Sequence, residues 1–206
     1  MSRNRTRQNG MRAEIAAAAA RLMAEGGIDS YALAKRKAAR QLGATDKQAL
    51  PGNDEVETEL RAYFELFQTD EHPDRIRELR GIALNVMREL EEFNPYLIGP
   101  VLTGLAGPYA DIELQLFPDS GKDVEIFLLN RNIQFDSTEV RRYSGDRARS
   151  VGVLELDWEG VPVKLSLFDS RDERLTLKAT QSGRTMDRAG IQEVSALLAD
   201  KRAGSP

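Results

Sequence analysis

The sequence contains no cysteine and only one histidine, His72, in 206 residues. Without thiols there is no disulfide, no thiolate nucleophile and no sulfur-ligated metal site, so the core alone must hold the fold. One imidazole excludes a histidine-rich metal centre and leaves any Ser-His-Asp mechanism dependent on that ring, which an expected solvated turn places between Glu71 and Pro73. Long apolar runs are missing too. The longest, Ile15 to Ala20, falls far short of the roughly 20 residues that a membrane span needs. The arginine-bearing start, Met1 to Arg12, leads into an amphipathic alanine helix rather than an apolar signal core. A cytoplasmic protein is expected from this, with a mitochondrial-type presequence as the alternative. Chemistry is left to carboxylates, hydroxyls, Lys and Arg.

What is present is ordinary for one globular domain or two small ones, at 41% hydrophobic and 30% charged residues. The net charge of -4 conceals an asymmetry. Residues 1–50 hold ten Lys/Arg against four Asp/Glu, a net of +6, while the remainder holds nineteen against twenty-nine, a net of -10. A basic segment of this kind either faces a polyanion or is a solvated face.

Hydrophobic spacing predicts helices first. Arg12 to Glu25 carries Ile15, Ala18, Ala19 and Leu22 on one stripe and stops at Gly26-Gly27. Asp29 or Ser30 caps a second helix that ends at Gly43 and presents Lys35, Arg36, Lys37 and Arg40. Pro51-Gly52-Asn53 breaks the chain, as a linker or only a turn. Asp54 to Gln68 follows with Val56, Leu60, Phe64 and Phe67 inward, and Asp74 to Phe93 is the longest periodic segment. After Asn94-Pro95 the period changes to that of strands. Tyr96 to Thr103 reads as a buried strand, Ala110 to Phe117 alternates apolar and polar residues, and Gly121 to Asn130 is a helix. Ile133 to Tyr143 reads as a strand, Ser150 to Asp157 and Val161 to Phe168 as a hairpin about Glu159-Gly160, and Asp187 caps a last helix, Ala189 to Ala199. The expected class is α+β: an all-helical module over residues 1–94, then a small mixed-sheet α/β domain over 95–206.

One segment concentrates the chemistry. Thr103-Gly104-Leu105-Ala106-Gly107 forms a turn, and the next strand opens with Asp111 and Glu113. Strand residues two apart share a face, so these carboxylates project side by side. Beside a turn with free backbone N–H groups, such a pair can hold a hard cation together with a triphosphate.

In these residues the chain resembles the nucleotidyltransferase superfamily with the DNA-polymerase-beta-like palm. That superfamily places a Gly-Ser or near equivalent at the close of one strand, an acidic pair spaced one apart on the next, and a third carboxylate on a later strand. The resemblance spans roughly Tyr96 to Asp169 and leaves the helical half outside it. It implies Mg²⁺ ligation and catalysis by Asp111 and Glu113, and nucleoside triphosphate contact by Thr103, Gly104, Leu105 and Gly107. The transfer would carry a nucleotide monophosphate to an acceptor, for which an RNA on the basic helices is a candidate. Two departures stand out. Leu105 replaces the expected serine, and Lys164 occupies the third-acid position. A lysine cannot ligate Mg²⁺, but it can contact phosphate or pair with Asp111 or Glu113 and supply positive charge in the metal's place; Glu155 or Asp157 can substitute as the acid.

Two other readings follow from the same residues. One is a degenerate nucleotidyltransferase-like protein that binds a nucleotide or a partner without transfer. The other is a DNA-binding regulator that uses the basic helices Ala16 to Gly43 as a helix-turn-helix. Lesser candidates are Ser182 and Arg184 as an anion loop or a plain polar loop, Arg141 or Arg142 beside a nucleic-acid path, and Trp158 as a packing or base-stacking ring.

Overall fold

The computed structural model describes residues 2–28, 30–44, 50–67, 71–144, 147–174, 177–178 and 187–200. The expected Thr180 to Arg184 loop lies outside them, as does Asp29. The chain divides into two compact units, Met1–Asp74 with Leu105–Ala110, and Arg75–Gly104 with Asp111–Pro206. This division falls well before residues 94 and 95, where the hydrophobic period changes, because the long fourth helix belongs with the sheet from Arg75 onward.

The first unit is built on helices α1 (Ser2–Gly26), α2 (Tyr31–Gln41) and α3 (Asn53–Phe67). Ile15, Ala16, Ala19 and Ala20 of α1 are buried with Ala34 and Ala38 of α2 and Val56, Leu60 and Phe64 of α3. Alanines on the facing stripes let the helix axes approach closely. Ser30 caps α2, its hydroxyl accepting from the Leu33 N–H at 3.4 Å. Phe67 is exposed rather than inward, and Leu33 and Leu42 of the α2 region are exposed too. Helix α4 (Glu71–Glu89) begins before the expected turn has ended, and its first-turn His72 stacks flat on Phe64 with ring centres 3.7 Å apart instead of standing in solvent.

The second unit is a six-stranded sheet in the order β1-β2-β5-β4-β3-β6. Its strands are β1 (Tyr96–Ile98), β2 (Ile112–Leu116), β3 (Phe135–Ser144), β4 (Arg147–Trp158), β5 (Val161–Leu167) and β6 (Leu177–Lys178). Only β2 and β5 run parallel among these pairings. Helix α5 (Gly99–Thr103) follows β1, α6 (Gly121–Asn130) follows β2, and α7 (Ile191–Ala199) closes the described chain. The architecture is α+β, with helices first and then the sheet.

Period-two burial explains the sheet. Leu97, Leu114, Leu165 and Leu154 lie in register across four strands and are fully buried. Each contributes about 2 kcal/mol by leaving water. The β4–β5 turn uses Glu159 (φ 53°) and Gly160 (φ 84°), the left-handed pair that matches the twist of a two-residue hairpin.

Two expected elements differ. The apolar run from Tyr96 to Thr103 is a strand only as far as Ile98; Gly99 turns with φ 71°, and Pro100 starts a short helix, where its fixed φ and missing N–H suit the first turn. Asp187 does not cap the last helix. Gly190 holds that place, its N–H bonded to the Glu193 carboxylate, and Ala189 pairs with Leu97 along the outer edge of β1.

Candidate functional site

The acidic pair starts an interior strand, since β2 has β1 on one side and β5 on the other. Register places Glu113 opposite Ile98 on β1 and Lys164 on β5, with Lys164 in turn opposite Glu155 on β4. Residues directly opposite in a sheet share a face, and so do residues two apart along a strand. Asp111, Glu113, Lys164 and Glu155 therefore stand together on one face of the second unit.

Lys164 is the centre of this group. Its Nζ lies 2.5 Å from Asp111 Oδ2, with side-chain exposures of 40% for the lysine and 19% for the aspartate. The hydrogen bond to Asp111 raises the lysine above its ordinary pKa against the opposing effect of burial, and the charges of Asp111, Glu155 and Glu113 add to that rise. The ammonium thus bonds Asp111 and lies in the field of Glu113 and Glu155. Asp157, the other candidate for a third acid, accepts the Gly160 N–H at 2.8 Å and is committed to the hairpin turn.

This donor set does not fit Mg²⁺ as it stands. A divalent ion would have to displace or sit beside a charged amine that already holds Asp111, and like charges at that range repel strongly where water is partly excluded. Among the described residues, no group of three or more His, Asp or Glu gathers to hold a metal.

The glycine that closes a strand ahead of the acidic pair is Gly99, not Gly104. A Cβ on Gly99 would stand 3.1 Å from Glu113 Cδ and 3.3 Å from both carboxylate oxygens, so the bare Cα lets the Glu113 head lie against the chain. The residue after it is Pro100. The available signal was the Gly-Pro dipeptide at the end of Tyr-Leu-Ile, which marks a strand end and a helix start together.

The expected phosphate-contact residues fall in different places. Thr103 ends α5, its hydroxyl donating to the Pro100 carbonyl at 3.4 Å, and Gly104 caps that helix with φ 75°. Arg80 on α4 stabilises the same helix end, its guanidinium donating to the carbonyls of Val101 at 3.1 Å and Leu102 at 2.7 Å. The Leu105 side chain is 5% exposed and belongs to the helical core. Gly107 passes so close to α1 that a Cβ there would lie 2.9 Å from the Met23 carbonyl oxygen.

The basic residues of α2 also separate. Lys35 Nζ bonds the Pro51 carbonyl at 3.0 Å and Asn53 Oδ1 at 2.8 Å, and burial lowers its pKa. Arg36, Lys37 and Arg40 remain exposed on the other side of the helix. Arg141 is exposed on β3, and Trp158 is half-buried at the end of β4.

No described helix is long and apolar enough to cross a membrane. No family model, curated protein or solved structure matches the chain.

Proposed function

We propose that the second unit is a divergent nucleotidyltransferase-like domain of a cytoplasmic protein, degenerate in catalysis, that binds a nucleotide or a partner without transferring a nucleotide. The observation that carries this reading is the bond from Lys164 to Asp111 at 2.5 Å, made in the row that also holds Glu113 and Glu155. Gly99 closing the preceding strand against Glu113 supports the resemblance itself. Where a metal-dependent transferase needs a third carboxylate to ligate and to accept a proton, this chain supplies an internal cation.

Calorimetric titration with ATP, GTP, CTP and UTP, with and without Mg²⁺, tests this reading beside a turnover assay. The native protein should show no Mg²⁺-dependent turnover, and Lys164→Asp should gain Mg²⁺ binding. Turnover by the native protein that disappears in Asp111→Ala would refute it.

A second reading has its own support. Glu155 stands directly opposite Lys164, and the lysine side chain is 40% exposed, so its departure would leave Glu155 on one side of the vacated place and Asp111 and Glu113 on the other, where side-chain movement could bring a third acid to the pair. On that reading the domain performs Mg²⁺-dependent nucleotidyl transfer from a nucleoside triphosphate. Native turnover abolished by Glu155→Gln would establish it. The exposed Arg36, Lys37 and Arg40 favour RNA over a site-specific DNA reader, since they form a short basic face on a helix whose fourth cation, Lys35, is tied down. Neutralising the three should reduce the salt dependence of any RNA binding.

A further inference from the structure

Polar residues on the sheet face do not end at the Lys164 row. Two positions further along the same face, Gln115 on β2 stands opposite Tyr96 on β1 and Ser166 on β5. Amides and hydroxyls are mostly exposed in proteins, yet Gln115 is 2% exposed and Ser166 8%. Neither side chain makes a hydrogen bond among the described residues. Buried polar groups left in this state give up their water without return, and the missing partner is what a ligand can supply.

A third group of this kind lies beside them. Arg188 holds its guanidinium 4.6 Å from the Tyr96 ring and 5.7 Å from the Phe117 ring, and those two rings flank Gln115 on this face. Its Nη2 donates to the Glu173 carbonyl at 2.5 Å, but its Nη1 is buried and has no partner among the described residues. The acids nearby are engaged elsewhere. The Glu173 carboxylate accepts from the Tyr96 hydroxyl at 2.8 Å, and the Glu193 carboxylate accepts from the Gly190 N–H. No ion pair neutralises Arg188 among the described residues. The residue as a whole is half-buried, so this part of the sheet face borders solvent.

We propose that Arg188, Gln115 and Ser166 form a metal-independent oxyanion site that takes a phosphate of the bound nucleotide. A nucleotide brings phosphate charge that must be balanced, and Lys164, already bonded to Asp111, opposes Mg²⁺ as the balancing ion. Arg188 is a cation on the same face with a donor to spare. The Gln115 amide and the Ser166 hydroxyl add neutral donors next to it. A guanidinium held over two rings also keeps its planar fork of N–H groups ready for an oxyanion. The inference takes its ligand from the nucleotide-binding reading; its three residues lie outside the superfamily pattern, so the site can stand or fall separately.

Calorimetry and thermal unfolding of the full chain test it with ATP, adenosine and inorganic phosphate, each in EDTA and in Mg²⁺. ATP should bind in EDTA at least as tightly as in Mg²⁺, and adenosine about tenfold more weakly or less. Phosphate at millimolar concentration should raise the transition temperature. Arg188→Met and Gln115→Leu, which keep apolar bulk and remove the donors, should each weaken ATP about tenfold in EDTA, and Arg188→Met should abolish the rise with phosphate. Failure of ATP to bind in EDTA overturns the inference. So does an ATP affinity that both variants leave unaltered, although in that case the nucleotide reading stands. Phosphate binding that Arg188→Met abolishes, with ATP no tighter than phosphate, upholds the oxyanion site and removes the nucleotide reading instead. Were Arg188→Met to unfold, Gln115→Leu and the ranking of ATP against adenosine on the native chain would still decide.

Discussion

Each unit of this protein carries an ion pair that joins distant parts of its sequence, and the two pairs do different things. In the helical unit Arg12 meets Glu55 with its Nε 2.8 Å from one carboxylate oxygen and 2.9 Å from the other and its Nη2 2.5 Å from the second, and the Gly52 N–H adds a third donor. One cation and one backbone dipole meet one anion. The contact ties α1 to the start of α3. In the sheet unit one cation, Lys164, faces Asp111, Glu113 and Glu155. In the first a single carboxylate faces the cation; in the second three carboxylates act on one lysine. A balanced pair is sufficient for architecture; a lysine that bonds one carboxylate and feels two more on the same sheet face is the arrangement on which the proposed site rests.

The largest effect expected on this contrast comes from Gly99. Alanine there adopts φ 71° and places its Cβ 3.1 Å from the Glu113 carboxylate carbon, so Gly99→Ala should cost about 2 kcal/mol of stability and push Glu113 out of the row. Chemical denaturation measures the first; loss of any ligand binding at the row measures the second. Next is Lys164→Met, which keeps the aliphatic stem and deletes the charge. About 1 kcal/mol should be lost as the carboxylates lose their shared cation. The substitution should also make thermal stability respond to Mg²⁺, with a rise in transition temperature that the native protein lacks. Glu55→Gln should cost less than 1 kcal/mol, since the pair is roughly 40% exposed and the amide oxygen still accepts from Gly52. It should create no response to Mg²⁺. Mg²⁺ sensitivity in both variants, or in neither, would erase the distinction between clasp and site.

The sequence made much of this legible, for identifiable reasons. Helices α1 to α3 and α6 are marked by period 3.6, α2 also by its Ser30 cap, and the β4–β5 hairpin by Glu-Gly between two alternating runs. Lys164 was legible as a cation on the strand after the Glu159-Gly160 turn, and its bond to Asp111 is one of the pairings that the residue type permits. What could not be read was register. Glu155 and Asp157 are equivalent in alternation; only the β4–β5 pairing puts Glu155 against Lys164 and sends Asp157 to the turn. The apolar run Tyr96 to Thr103 hides a change of element, because Val101 and Leu102 suit a buried helix as well as a strand, and the glycine beside Glu113 lies five residues before Gly104. Leu105 looks like part of a phosphate turn in one dimension and is core in three, for it is buried in a cluster with residues forty and more positions away on α1, α2 and α3.

The finest discrimination between the two pairs is their response to pH, and its sign follows from the direction of each shift. Hydrogen bonds from Arg12 and the Gly52 N–H hold Glu55 below its ordinary pKa of 4.5. A carboxylate depressed in the folded state contributes stability that is present above the unfolded value and is lost as the pH falls through the folded one. Lys164 is raised above its ordinary 10.5, so its contribution is complete below that value and is lost as the pH rises through the folded one. Denaturation midpoints of the native protein and of Glu55→Gln should therefore converge in acid, and those of the native protein and Lys164→Met in alkali. Both differences are smaller than the substitution effects at neutral pH and should shrink further in high salt, since both pairs are partly exposed. A Lys164→Met difference that persisted above the lysine's folded pKa would mean that the side chain stabilises the sheet through its packed stem rather than its charge, and the row would then be architecture, like the clasp in the helical unit.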